Sequence, residues 1–475
     1  MARSFIRERC RRVNNTPHLT RRAFVSSLTA GTGLLLGAPA SADVTLNIAP
    51  AQLEVAPGHT ITTSAYNGSS PGPLIRMREG VPVSVNIINH SDVAEYVHWH
   101  GFDAPAKLDG TEEERSLVVP AHGHLQYEMT PRQTGSRYVH SHAMAMDDLS
   151  RGPYSGQFAF VYVEPRHNPG RYDQEIFLST HEWEPYFMEG DDDPSAMTEE
   201  HDGETDWGPS MAEVGYGIYS INGKALGHGE PVRVKQGQRV LFHILNASAT
   251  EDIQLYLPGH EFVVVALDGN PVPRPSRVSI LELGVGERVD AVVHMTNPGI
   301  WILGSTDNDV RGSGLGILIE YAGRQGAARH ISPSGATWDY LLFGEERETV
   351  KPDEILPMVI ERIDPDGHGL EHWAINGRIY SDQDEPKVLT RGSRYRLAFE
   401  NRTGDAHPLH LHRHTFELVR IGGKPTAGVR KDVVVLQGFQ TLEVDFIPRQ
   451  TGLTLFHCHQ QMHMDQGFKT LFRVV

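Results

Sequence analysis

The sequence predicts an all-β protein made of three consecutive antiparallel sandwich or barrel domains. Three observations carry that expectation. The first is an internal repeat. Asn67-Gly68, Asn222-Gly223 and Asn376-Gly377 recur with a period of about 155 residues. Each is followed by a short apolar segment: Pro73-Leu74-Ile75-Arg76, Pro231-Val232-Arg233-Val234 and Pro386-Lys387-Val388-Leu389. Gly80, Gly237 and Gly392 come next, and Asn89, Asn246 and Asn401 follow them by nine residues in every copy. The second observation is period-two alternation, clearest in residues 81–87 and 394–399, which puts apolar side chains on one face of a strand. The third is composition, because 47 Gly and 30 Pro in 475 residues suit short strands joined by tight turns.

Taken in order, the chain opens with a basic segment (Arg3, Arg7, Arg9, Arg11, Arg12). Thr20-Arg21-Arg22-Ala23-Phe24 follows, then a short glycine-broken apolar run that ends in Ala40-Ser41-Ala42. This pattern predicts a twin-arginine export signal over residues 1–42, cleaved at an A-x-A site, and a periplasmic or secreted product. The run is too short and too glycine-rich to span a membrane, and no later stretch reads as a span. Removal of the segment takes the net charge from -17 to about -23, which argues against nucleic acid or an anionic membrane as partner. It also removes Cys10, so Cys458 is left without an intramolecular disulfide partner. A lone cysteine sent to an oxidising compartment has to be buried or metal-bound.

The repeat and two linker-like stretches divide the rest into residues 43–165, 166–328 and 329–475. The linkers are Glu164-Pro165-Arg166-His167-Asn168-Pro169-Gly170 and Ala322-Gly323-Arg324-Gln325-Gly326-Ala327-Ala328. Residues 189–206 form an acidic run with no periodicity, expected as a surface loop.

Ten of the 26 histidines fall in four clusters: His98-Trp99-His100, His140-Ser141-His142, His407-Pro408-Leu409-His410-Leu411-His412, and His457-Cys458-His459 with His463. Each cluster holds an H-x-H step, which on a strand places two imidazoles on one face, about 7 Å apart at the backbone. Two clusters lie in the first repeat and two in the last. The middle repeat keeps the framework but reads Ala247-Ser248-Ala249-Thr250-Glu251-Asp252 where the last has its histidines. A metal centre between the first and third domains is therefore expected, with the second domain as a spacer. Imidazoles suit Zn, Cu, Fe or Ni. One thiolate with two imidazoles (Cys458, His407, His463) is the blue-copper set, whereas structural zinc usually recruits more than one cysteine.

With these four motifs the chain resembles the multicopper oxidases, the family of laccases, ascorbate oxidase and bacterial cuprous oxidases. The resemblance runs from about residue 45 to residue 475. It implies three consecutive cupredoxin-like Greek-key β-sandwich or barrel domains and four copper ions. His407, Cys458 and His463 would bind the type 1 copper. His98 and His410 would bind the type 2 copper. His100, His140, His142, His412, His457 and His459 would bind the type 3 pair. Electrons would pass from Cys458 through His457 and His459, and O2 would be reduced to water. Asp109 matches a position where the family often has an acid near the type 2 site, with Asp103 a weaker candidate. Two positions depart from the pattern. Phe468 stands where many members have a methionine that weakly ligates the type 1 copper, and loss of that donor favours a higher reduction potential. Met464 stands where some bacterial members have a second acid.

The expected activity is that of a laccase-like enzyme oxidising phenols or aromatic amines. The alternative is a periplasmic cuprous oxidase acting on Cu(I), for which Met144, Met146, Met462 and Met464 lie in or beside the motifs and Met188, Met197 and Met211 in or near the acidic run. A copper-free structural relative or a copper-storage protein would not need the complete ligand set. Three domains in one chain suffice to build the centre, so a monomer is expected.

Overall fold

The computed structural model describes residues 43–166, 170–188, 213–331, 333, 338–364 and 372–475. Residues 1–42, expected as an export signal, the acidic run 189–206, Met197 and Met211 lie outside them. Among the described residues the chain forms six sheets in three consecutive pairs. Sheet membership changes between Glu164 and Gln174 and again between Tyr321 and Glu354. Each pair contributes a tryptophan to the buried core: Trp99, Trp301 and Trp373.

The sequence repeat is a structural repeat, and its physical basis is visible at its two asparagines. Asn67, Asn222 and Asn376 have φ of 54°, 53° and 53°, and the glycines after them 73°, 72° and 72°. Two successive left-handed residues make a type I′ turn, which Asn-Gly forms most readily. Each asparagine amide then ties the turn to a neighbouring strand, accepting from the backbone N–H of Asn47, Ser179 or Val359. The second asparagine closes the next strand. Asn89, Asn246 and Asn401 end strands Val83–Asn89, Arg239–Asn246 and Tyr395–Asn401. In each case the side-chain oxygen accepts from the N–H two residues on, while the amide donates across the loop. These buried groups have partners only when the strand and the following loop are both in place.

Strand pairing repeats as well. The first strand of each domain runs parallel to the strand that follows the repeat glycine: Val44–Ala56 with Val83–Asn89, Gln174–Phe187 with Arg239–Asn246, and Glu354–Ile363 with Tyr395–Asn401. Burial alternates along Val83–Asn89 as the period-two pattern predicts, with Val83, Val85, Ile87 and Asn89 inward.

The four motif segments sit in the second sheets of the first and third domains. Strand Val97–His100 pairs antiparallel with Gly135–Ser141, which sets His98 directly opposite His140. Strand His407–Leu411 pairs with Gly452–Cys458, which sets His410 opposite His457. His459 follows that strand, and His463 lies on the short helix Gln461–Asp465. The carboxylate of Asp465 accepts from the N–H groups of Ala145 and Met146, joining this helix to the loop after His142.

Asn246 tests the repeat. Its side chain is buried and engages Ser248, Glu251, Leu283 and Thr180. Asn246→Ala is expected to cost ~1–3 kcal/mol, since it leaves buried backbone groups without partners. A lowered urea midpoint at unchanged slope is the readout.

Candidate metal centre

Strand register brings eight histidines into one buried cluster and a separate pair to Cys458. Within the cluster, three groups have ligand atoms lying within 4.8 Å of one another: His98, His100 and His410; His100, His140 and His459; and His142, His412 and His457. Three of the four H-x-H steps, His140/His142, His410/His412 and His457/His459, are divided between groups, so one strand does serve two neighbouring positions, while His98 and His100 share a group. The fourth group is His407, Cys458 and His463. Cys458 Sγ lies 3.8 Å from His407 Nδ1 and 3.5 Å from His463 Nδ1. Adjacent residues of one strand end thus face different groups, Cys458 one way and His457 and His459 the other.

The orientation of the rings is set from outside. His98 Nδ1 meets the Asp109 carbonyl at 2.8 Å, and His140 Nδ1 meets the Ser141 carbonyl at 2.9 Å. His410 and His457 meet the Asp432 and Cys458 carbonyls at 2.7 Å. His412 Nδ1 meets Asp109 Oδ2, also at 2.7 Å. A proton fixed on Nδ1 leaves the Nε2 lone pair free to ligate, the usual outer-sphere arrangement of a metal-binding histidine. His98, His140, His142 and His410 present a buried Nε2 that has no hydrogen-bond partner. His100 is turned the other way, with Nε2 3.1 Å from Asp432 Oδ1 and Nδ1 3.3 Å from His459 Nε2.

A cluster of buried, inward-facing lone pairs is costly unless something satisfies it, and a cation does so. Burial and mutual repulsion hold His100, His140, His410, His412 and His457 well below the usual imidazole range, and push His142 and His459 down to about 3. The rings are therefore neutral, the form that binds metal. Burial also pushes the Cys458 thiol well up, so its thiolate needs a cation beside it. One sulfur with two imidazoles, beside a cluster of imidazoles alone, fits copper at both places.

Asp109 is fully buried and serves two histidines: Oδ2 bonds His412 Nδ1 and stands 3.3 Å from His98 Nδ1, while Oδ1 has no partner. Asp103 is held by Gln450 at 2.6 Å in a cleft of about 720 Å³. Phe468 is fully buried, edge-on to His407 at 4.9 Å, and its carbonyl accepts from the Cys458 N–H.

Several residues of the site are not evident from the motifs. Trp373 packs 4.6 Å from His407 and 4.5 Å from His463, and stacks on Phe468. Glu114 is buried 3.9 Å from His412 Nδ1, and burial with neighbouring Asp109 holds its carboxyl well above the usual range. Its place in Glu112-Glu113-Glu114 reads as a solvated turn. Asp432 carries a faint signal, as a charge entering the apolar run Val433-Val434-Val435. The middle domain is also more than a spacer. The left-handed Gly286 lies so close that a Cβ there would come within 3.0 Å of the His459 ring.

Fold and site together define a copper-dependent oxidoreductase that uses O2, and the comparisons agree. Models of the multicopper oxidase family match residues 47–168, 192–318 and 355–475. The chain is 28% identical over 450 residues to the multicopper oxidase MmcO of Mycobacterium tuberculosis, covering 90% of this chain and 86% of that protein. It is 24% identical to Laccase-3 of Thanatephorus cucumeris, with 92% of each covered. It is 23% identical to a copper resistance protein A homolog of Pseudomonas syringae pv. tomato, covering 90% and 91%. The crystal structure of a multicopper oxidase from Pseudomonas thermotolerans superposes with a TM-score of 0.69 at 23% identity, over 92% of this chain and 100% of that one. The chain belongs to the multicopper oxidase family, built from three cupredoxin-like domains.

The neutral histidines make the metal-free protein acid-sensitive. Folded rings near 3 against about 6.5 unfolded mean that the unfolded chain binds more protons below about 6.5. Their contribution to stability is complete above that pH and is lost as the pH falls toward 3. The thermal midpoint of copper-free protein should drop steadily between about pH 7 and about pH 4. A flat profile over that range contradicts the assignment.

Proposed function

We propose that the chain is a laccase-like multicopper oxidase, coupling one-electron oxidation of phenolic or aromatic amine donors to reduction of O2 to water. The observation that carries this reading is the position of Cys458, bound into the group with His407 and His463 while its neighbours His457 and His459 belong to the histidine cluster. In the proposed assignment, type 1 copper is held by His407, Cys458 and His463. His98 and His410 hold the type 2 copper, and His100, His140, His142, His412, His457 and His459 hold the type 3 pair. Four copper ions so bound supply stepwise one-electron oxidation of the donor and four-electron, four-proton reduction of O2 to two waters.

The chain's own residues do the rest. The Cys458 backbone links the two groups covalently. Burial of the cluster excludes bulk water. Asp109 Oδ1, buried and without a partner, is the oxygen we assign to proton delivery, while Oδ2 holds His412. His463 is the one ligand of its group that is not fully buried, so donors are expected to approach there.

Laccase-3 is among the relatives, and the methionines favour an organic donor over Cu(I). Met462 and Met464 are buried, and Met144 is half-buried with Sδ 3.6 Å from Lys469 Nζ. Of these four, only Met146 is exposed. The copper resistance relative supports the alternative, a cuprous oxidase. We assign residues 1–42 to twin-arginine export into the periplasm or medium, place domain boundaries near 165 and 328, and take the protein as a monomer.

Copper-loaded protein should show an intense blue band and about four coppers per chain, as its ligand groups require. Oxygen uptake should be faster with a phenol than with Cu(I). The reverse order supports the cuprous oxidase, and bound copper without blue colour or oxygen uptake sinks both. Phe468→Met should lower the type 1 reduction potential by restoring an axial donor, measurable by redox titration of the blue band.

A further inference from the structure

We propose that Asp432, gripped by Arg288 of the middle domain, is a positioning residue for the histidine cluster, so that a domain with no metal ligand sets the orientation of His100 and His410. The inference rests on the copper assignment above. Asp432 is fully buried and touches two histidines through two different groups. Its carboxylate Oδ1 accepts from His100 Nε2 at 3.1 Å, and its carbonyl accepts from His410 Nδ1 at 2.7 Å. The two rings are stacked, with centroids 3.9 Å apart and planes 16° apart.

The carboxylate contact decides which nitrogen of His100 faces inward. A carboxylate oxygen accepts a hydrogen bond, so the proton sits on Nε2 and the lone pair on Nδ1, which points at His459. The five histidines whose Nδ1 is anchored present the opposite nitrogen. Without Asp432 nothing on that side would favour the reversed ring.

Asp432 is itself held from the middle domain. Arg288 donates to both of its oxygens, at 2.6 and 2.7 Å, in a two-pronged contact. A point charge could not fix the carboxylate plane in this way. Arg137 of the first domain adds a third bond at 3.0 Å. Asp268, also of the middle domain, accepts from the N–H groups of Arg288 and Asp432 at 3.0 and 3.2 Å, aligning both backbones. The approach is close enough to need a glycine after His100. A Cβ on Gly101, whose φ is +82°, would lie 2.7 Å from Asp432 Oδ2 and 2.8 Å from Arg288 Nη2.

A purely structural ion pair and a positioning residue predict different outcomes for the two metal groups, which reside in one chain. The test compares wild type, Asp432→Asn and Arg288→Lys. Copper affinity and stoichiometry, the blue band and the electron paramagnetic resonance of the non-blue copper are measured on protein with wild-type far-ultraviolet dichroism. Asp432→Asn should weaken copper binding in the histidine cluster about 10- to 100-fold and alter the non-blue resonance. The blue band should persist at wild-type intensity per folded chain. Arg288→Lys should move the same signals less. Wild-type copper affinity and an unchanged resonance in both variants would overturn the proposal. So would loss of blue and non-blue copper in step with lost folded protein, which is the behaviour of a structural pair. A wild type that binds copper only at Cys458 would overturn the cluster assignment and this inference with it.

Discussion

The structure depends on one constraint: eight imidazoles must be buried together, each with a chosen nitrogen facing inward. Rings packed within about 5 Å of one another are shut off from bulk water, and like charges side by side would be poorly screened in this interior. The protein meets this by giving the outward nitrogens fixed oxygen partners. Backbone carbonyls of Asp109, Ser141, Asp432 and Cys458 serve four of them, and carboxylates of Asp109 and Asp432 serve two more. The ring orientation is therefore a property of the β framework and does not wait for the metal.

That requirement explains the interlocking of the domains. The first and third domains carry the histidines, but the oxygens that aim them come from both sides of the interface. Asp109 of the first domain holds His412 of the third, and Asp432 of the third holds His100 of the first. The middle domain neutralises the second of these carboxylates through Arg288 and packs Gly286 against His459. Lys431, with Asp268 at 3.0 Å and Glu287 at 2.9 Å, extends the same buried network. Such networks contribute little net stability when complete and are strongly destabilising when one partner is removed. Here the network joins all three domains, since Asp432 of the third is held by Arg288 of the second and Arg137 of the first.

Much of this was legible in the chain. Asn67, Asn222 and Asn376 announce the repeat because Asn-Gly has few alternatives to a left-handed turn. Gly80, Gly237 and Gly392, with φ of 71°, 86° and 88°, mark the turns before the matching strands. The H-x-H steps are legible because strand geometry alone puts both rings on one side. Asp432 and Glu114 were not, since their roles come from contacts and a charge entering the apolar run after Asp432 is at most a faint hint. Asp432 is separated from His100 by 332 residues, and the apolar run after it does not by itself point to a histidine. Trp373 is hidden for the same reason: its role comes from touching His407, His463 and Phe468 together.

The sequence by itself determined the fold class, the three-fold repetition and the candidate metal-ligating side chains, because these follow from turn preferences, side-chain alternation and donor chemistry within a few residues. Tertiary structure alone decided which nitrogen of each ring faces the centre, which carboxylates are buried beside it, and that the domain lacking ligands has a part in building it. Those features arise from hydrogen bonds and ion pairs between segments hundreds of residues apart. Their energies depend on burial and on distances of a few ångströms, which local sequence does not encode.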